Sequence, residues 1–296
     1  MTVTLKNESL TVLIEDKGAQ LCSVKNTAGT EYIWKADPSV WNRHAPLLFP
    51  VIGRLQGGQY TVHGQTYHIS SHGFARDSVF TLAEATDTRA VFTLTHSEET
   101  KKVYPFSFAL TVVYELVGNE LKKSFTVENL DESVMYYELG GHDGFTAPHT
   151  PGQTMADCAI LLPGYDDGFT PYGMDEACMI TPKGEKLSFP DGRIPLKPMT
   201  HGLDTFIVDS PAPHTAVLVD RDSKPLVTLH FPGFPYLGLW TMHTEGGIDT
   251  NYVCIEPWST LPDTTFVGRD LSQKAGIRAL RPGQSEQLSY NTIFHI

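Results

Sequence analysis

Cysteine is scarce in this chain of 296 residues, and Cys22, Cys158, Cys178 and Cys254 lie far apart with no CxxC pair. That spacing offers neither a disulfide framework nor a zinc site, and it fits thiols kept reduced in a cytoplasm. Long apolar runs are missing too. None approaches the ~18 residues that span a bilayer. The first eight residues carry neither a basic n-region nor an apolar h-region, so no secretory signal is read there. Basic residues are outnumbered, 22 Lys and Arg against 34 Asp and Glu, for a formal charge of −12. Such a surface repels phosphate backbones and anionic lipid, which argues against nucleic acid and membrane as partners. No GxSxG elbow, P-loop, GxGxxG or HExxH is present, and the 12 histidines show no short ligand spacing. No metal and no cofactor is therefore expected. Helical periodicity is also lacking. The best candidate, Asp37 to Trp41, amounts to one or two turns.

What is present is a chain of ordinary globular composition, 41% hydrophobic and 19% charged, divided at short intervals by 25 Gly and 20 Pro. Between these breaks, apolar and polar side chains alternate. Thr11 to Glu15, Ala90 to Thr95, Phe106 to Tyr114 and Leu121 to Val127 read as strands. Val117-Gly118-Asn119-Glu120 and His63-Gly64-Gln65 supply hairpin turns between strands. Many short strands with frequent turns predict an all-β fold of packed antiparallel sheets. With no repeat or linker, residues 1–296 read as one domain. The Pro- and Gly-rich stretch from Pro148 to Pro198 reads as long loops over a sheet edge.

Four segments could carry chemistry. In Tyr252-Val253-Cys254-Ile255-Glu256-Pro257-Trp258, period-2 geometry puts Tyr252, Cys254 and Glu256 on one face. Glu256 is expected to end the strand, because Pro257 has no N–H for the ladder. It reads as a partly desolvated base, with a solvated edge-strand glutamate as the plainer alternative. In Glu138-Leu139-Gly140-Gly141-His142-Asp143, the glycines would let a ligand approach the backbone, and His142 would titrate near neutral pH as a general acid. A turn histidine with a hydrogen-bonding role is the alternative. Arg54, after Pro46 to Gly53, and His72, in His72-Gly73-Phe74-Ala75-Arg76-Asp77, could read hydroxyls or serve structure. Tyr236, Gly238 and Trp240 share a face on which a pyranose could stack, unless Trp240 is a core residue.

In this order, Pro46 to Leu55, His72 to Arg76, Gly140-Gly141-His142 and Ile255-Glu256-Pro257-Trp258 resemble the aldose 1-epimerase (galactose mutarotase-like) superfamily. The resemblance covers essentially the whole chain and is nearest to a bacterial branch of unsettled substrate. It implies a large antiparallel β-supersandwich and a small-molecule aldose as partner, in a monomer or homodimer. It also implies Glu256 as catalytic base, His142 as general acid, and Arg54 and His72 as sugar-orienting residues. Asp204 matches an acidic residue that holds sugar hydroxyls. Asp143 stands where family members often have proline. The implied reaction opens a hemiacetal with a base at the O1 hydroxyl and an acid at the ring oxygen, placed on opposite sides of the sugar. A hexose-6-phosphate 1-epimerase, with Arg76 as a second cation at the rim, and a non-catalytic carbohydrate-binding protein are the alternatives.

Overall fold

Every second residue of Phe108–Val117 is buried, from Phe108 through Leu110, Val112 and Tyr114 to Leu116. That is how an apolar alternation becomes a sheet with one face on a core. The strand pairs with Glu120–Asn129 through a turn in which Gly118 takes φ +57. The His63-Gly64 turn joins Gln59–Val62 to Gln65–His68 with both residues in the left-handed region, at φ +50 and +74, as a type I′ hairpin requires.

The computed structural model describes residues 1–196, 205–210, 212–242, 250–264 and 268–296. Among these, the largest sheet has nine antiparallel strands. Its order is Arg193–Pro195, Ala159–Leu161, Thr215–Val219, Pro225–His230, Ser285–Phe294, Glu120–Asn129, Phe108–Val117, Arg89–Thr95 and Thr81–Ala85. A second sheet of eight strands orders Ile180–Lys183, Tyr172–Met174, Thr205–Asp209, Tyr236–Trp240, Tyr252–Trp258, Gly140–Gly141 and Leu47–Leu48. Its eighth strand, Asp143–Thr146, also pairs with Tyr252–Trp258. Phe125, Val127, Leu229 and Tyr290 from the first sheet share one apolar core with Leu237, Leu239, Val253 and Ile255 from the second. The architecture is thus the all-β antiparallel supersandwich, two sheets packed face to face.

Three expectations are corrected. Asp37 to Trp41 forms a hydrogen-bonded turn, and the one α-helix among the described residues is Glu98–Val103. Ser97 caps it through the Thr100 N–H, and the Thr100 hydroxyl bonds back to the Ser97 N–H. That box uses threonine at the third position, where a glutamate would have signalled a helix start. The stretch from Pro148 onward is not loop alone. It contributes short strands to the outer ends of both sheets, including Ala159–Leu161, Tyr172–Met174, Ile180–Lys183 and Arg193–Pro195. Glu256 does not end its strand either. The ladder runs through Pro257, opposite Leu237, to Trp258, opposite Tyr236. The one bond that the proline's missing N–H forfeits falls on the other side, where the strand is interrupted at His142, between Gly140–Gly141 and Asp143–Thr146.

Candidate functional site

Tyr252–Trp258 is buried along its whole length, between strands on both sides. Val253 and Ile255 enter the main core. Tyr252 and Cys254 face the other way, toward Trp34, Trp41 and Trp240, and Trp258 packs on Leu48, Ile52 and Ile207. Glu256 shares that outer face and is 1% exposed, which excludes a solvated edge-strand role.

The register supplies its partner. Gly140 lies opposite Trp258 and Asp143 opposite Ile255, so His142 falls opposite Glu256 on the same face. The two side chains meet with His142 Nε2 3.3 Å from Glu256 Oε2. They stand side by side, not on opposite sides of a ligand. Nor does His142 titrate near neutral pH. Burial, helped by Arg76 and Arg43, pushes its imidazole down to about 3, so the ring is neutral. Trp41 stacks on it at 5.1 Å between centroids, and Trp240 stands edge-on at 5.6 Å.

The glycines around this pair make room for protein side chains. A Cβ on Gly140 would lie 3.0 Å from the Trp258 ring, and one on Gly141 would lie 2.4 Å from the Tyr290 hydroxyl. On Gly144 it would meet Trp41 at 2.9 Å, and on Gly238 it would meet the Trp258 ring at 2.7 Å. The expected gaps for a sugar at Gly140, Gly141 and Gly238 are therefore filled by aromatic residues.

His72 sits with Gly73 in consecutive left-handed conformations, φ +64 and +72, and Gly73 packs so closely on Phe49 that a Cβ would lie 2.1 Å from its carbonyl oxygen. His72 Nδ1 accepts the Gly53 N–H at 3.1 Å. That bond requires an unprotonated Nδ1 and leaves the proton on Nε2. Enclosure, then His142 and the arginines Arg76, Arg43 and Arg54, hold its pKa well below the usual histidine range. The His72 ring stands edge-on to His142 at 5.5 Å. Arg76 donates to the Ser71 carbonyl at 2.7 Å and lies 3.7 Å from Asp77, which also binds Arg43 at 3.0 Å. Arg54 has no ion-pair partner among the described residues. Its segment is held from behind by fully buried Glu138, which accepts the Ile52 N–H at 2.6 Å and pairs with Lys274. Lys274 also reaches Asp263 at 3.2 Å, and Asp263 accepts the Gln56 N–H at 3.0 Å.

In front of that buried network lies a cavity of about 260 Å³. Arg54, His72, Arg76, His142, Trp240 and Glu256 all face it, so the structure brings these six sequence candidates together. Asp204 lies outside the described residues. Its neighbour Thr205 is on the wall. Sequence reasoning missed Trp41 as a wall residue, since only tertiary contact connects it to His142. It also missed that His142, Cys254 and Glu256 bring their ligating atoms within 4.8 Å of one another. No short spacing announces that group, because two separate strands build it. Cys22, Cys178 and Cys254 are free thiols, and no helix among the described residues is long and apolar enough to cross a membrane.

The sequence profile of the family described as Aldose 1-epimerase matches residues 1–284. Protein LacX (chromosomal) of Lactococcus lactis subsp. lactis is 33% identical over 313 aligned residues, covering 98% of each chain. Among solved structures, a galactose mutarotase related enzyme from Lactobacillus acidophilus superposes with a TM-score of 0.91 at 32% identity, over 100% of this chain and 98% of that one. A galactose mutarotase-like protein from Lactobacillus casei gives a TM-score of 0.89 at 30% identity, with 100% of both chains covered. The matched profile spans all six candidates that face the cavity, and the chain belongs to the aldose 1-epimerase family.

Proposed function

We propose that the chain, as one unit spanning residues 1–296, interconverts the α and β anomers of a free aldose without a cofactor. The observation that carries this reading is the buried Glu256–His142 pair, 3.3 Å apart, in an aromatic-walled cavity of about 260 Å³. Drug-sized ligands occupy ~300–1,000 Å³, so this volume suits a monosaccharide. O1 and the ring oxygen are bonded to the same carbon, C1, so adjacent groups can serve both. Glu256 takes the O1 proton, the bond between C1 and the ring oxygen breaks, and its electron pair goes to that oxygen. His142 donates its Nε2 proton there as a neutral imidazole, a role open to a buried histidine whose pKa is depressed. The contact between the two residues lets the proton on Glu256 pass to His142. The aldehyde turns about C1–C2 and recloses by the reverse steps.

Arg54 and the Nε2–H of His72 read hydroxyls, Trp240 and Trp41 face the apolar side of the ring, and Asp204 is assigned to hydroxyl binding. A non-catalytic sugar binder has no need of a buried acid–base pair, whose burial costs stability. The free thiols of Cys22, Cys178 and Cys254 support a reducing, cytoplasmic setting.

Polarimetry of freshly dissolved α-anomers tests the reading. Glu256→Gln keeps the shape of the side chain but cannot accept the O1 proton. Turnover should fall by ~10²–10⁴-fold while sugar binding, measured by calorimetry, persists. A variant that runs near the wild-type rate removes Glu256 from the role of base.

One observation favours a second reading, a hexose-6-phosphate 1-epimerase. Arg43, Arg54 and Arg76 all act on His72, which makes this part of the pocket locally cationic. A substrate panel containing both free and 6-phosphorylated aldoses separates the two.

A further inference from the structure

Three donor atoms of different chemical kinds meet at the acid–base pair. His142, Cys254 and Glu256 are all buried, and a ring nitrogen of His142, Cys254 Sγ and a Glu256 carboxylate oxygen lie within 4.8 Å of one another. Strand geometry makes the cluster. Cys254 and Glu256 are two residues apart on one face, and His142 is the cross-strand neighbour of Glu256. The separation of Nε2 and Oε2 is 3.3 Å. A tetrahedral ion bonded at ~2.0–2.1 Å to an imidazole nitrogen and a carboxylate oxygen holds those atoms about 3.3 Å apart. Two of the three donors are therefore already at ligand spacing. With a metal–sulfur bond of ~2.3 Å, Sγ belongs about 3.6 Å from each of them, roughly 1 Å closer than the widest separation present.

The donor set also selects the ion. Nitrogen and sulfur with a single carboxylate suit Zn²⁺, whereas Mg²⁺ and Ca²⁺ demand oxygen shells. His142 and Glu256 line the cavity, which provides both the entry path and space for a water as the fourth ligand. We propose that His142, Cys254 and Glu256 form an inhibitory site for one zinc-like divalent cation, which ties up the proton-transfer pair when it binds. On binding, the S–H bond of Cys254 breaks, its proton leaves to solvent and a sulfur–metal bond forms, while the His142 proton moves from Nε2 to Nδ1 so that the neutral ring can ligate, with no change of oxidation state. The binding claim stands independently of the mutarotase reading. Only the inhibition arm rests on it.

Equilibrium dialysis of chelator-stripped protein against ZnCl₂ decides the binding claim, using wild type, Cys254→Ala, Cys254→Ser and Cys178→Ala. Cys178 lies on the cavity wall outside the donor cluster and serves as the control. The expected result is one tight Zn²⁺ per chain in wild type and in Cys178→Ala. Both Cys254 variants should weaken it at least about tenfold, the lower end of what even outer-shell changes cost. Co²⁺ should give a thiolate charge-transfer band in wild type that is absent without Cys254. Cys254→Ser, close in size to the native side chain, reads the same point should the alanine variant not fold. Unaltered affinity in the Cys254 variants, no tight site in wild type, or loss of the site in Cys178→Ala overturns the proposal. Zinc should also suppress anomer exchange, and EDTA should restore it. Tight, Cys254-dependent binding to a protein that turns over no aldose would uphold the site and sink the mutarotase reading instead.

Discussion

His72 and His142 carry no charge in the folded chain, and that neutrality has a measurable consequence. Both have folded pKa values below the ordinary 6.5, His142 at about 3 and His72 well below the usual histidine range. Above pH 6.5 folded and unfolded chains are alike in these rings. As pH falls below that point, the unfolded chain takes up protons that the native one refuses, so stability drops, down to about pH 3 for His142. Between about pH 6.5 and 5 carboxylates remain mostly ionised, and each such histidine removes at most roughly 1.4 kcal/mol per pH unit. Urea midpoints should therefore fall across this window in wild type and fall less in His72→Gln and His142→Gln. Equal slopes in all three would mean that these rings charge freely in the native state. The ordered segments of the sequence reveal which residues gather at the site. They do not reveal protonation states, because those depend first on burial and then on Arg43 and Arg76, which only the folded chain brings near His142.

The strand that carries His142 is anchored from beneath. Asp143, 1% exposed, pairs with Lys123 at 2.8 Å and accepts the Tyr290 hydroxyl at 2.9 Å. Lys123 lies over the Tyr114 and Tyr290 rings, 5.4 and 5.1 Å from their centroids. Here an ion pair inside the sandwich holds the segment, pulling Asp143 into the core while His142 faces the cavity. Lys123→Met leaves a buried carboxylate without its cation and should cost about 3–5 kcal/mol in urea unfolding. Adding Asp143→Asn should recover much of that loss, and a double variant no more stable than the single one would show that the two residues are not coupled. Adjacent elements such as Phe108–Val117 and Glu120–Asn129 are legible in the sequence, since alternation and the turn at Gly118 specify them locally. The pairing of Asp143–Thr146 with Tyr252–Trp258 is not, because its partners are far apart in the chain. Pro257 misleads for the same reason. Its missing N–H forfeits a bond on one side only, toward the interruption at His142, and leaves the pairing with Tyr236–Trp240 whole.

At the scale of the whole molecule, a net charge of −12 surrounds a pocket edged by arginines. The two act in opposite senses on an anionic ligand. Asp77 engages both Arg43 and Arg76, and the Ser71 carbonyl takes a further Arg76 donor, so these cations are already occupied locally. Free glucose or galactose should accordingly show higher kcat/KM than the corresponding 6-phosphate. A strong phosphate preference that collapses in Arg76→Ala would establish the second reading. The all-β class was legible from turns and alternation alone. The division into nine- and eight-stranded sheets was not, since strand order depends on contacts between distant segments.

Aromatic placement adds a consequence of another kind. The chain has four tryptophans. Trp41, Trp240 and Trp258 line the cavity, and Trp34 donates its indole N–H to the Trp41 carbonyl at 2.8 Å. The tryptophan emission of the entire protein therefore arises at one place. A sugar entering the cavity displaces water from three of the four indoles, so intensity and wavelength should follow occupancy without any attached label. The same signal, followed through denaturation, reports the opening of the site and is blind to the far edge of the larger sheet.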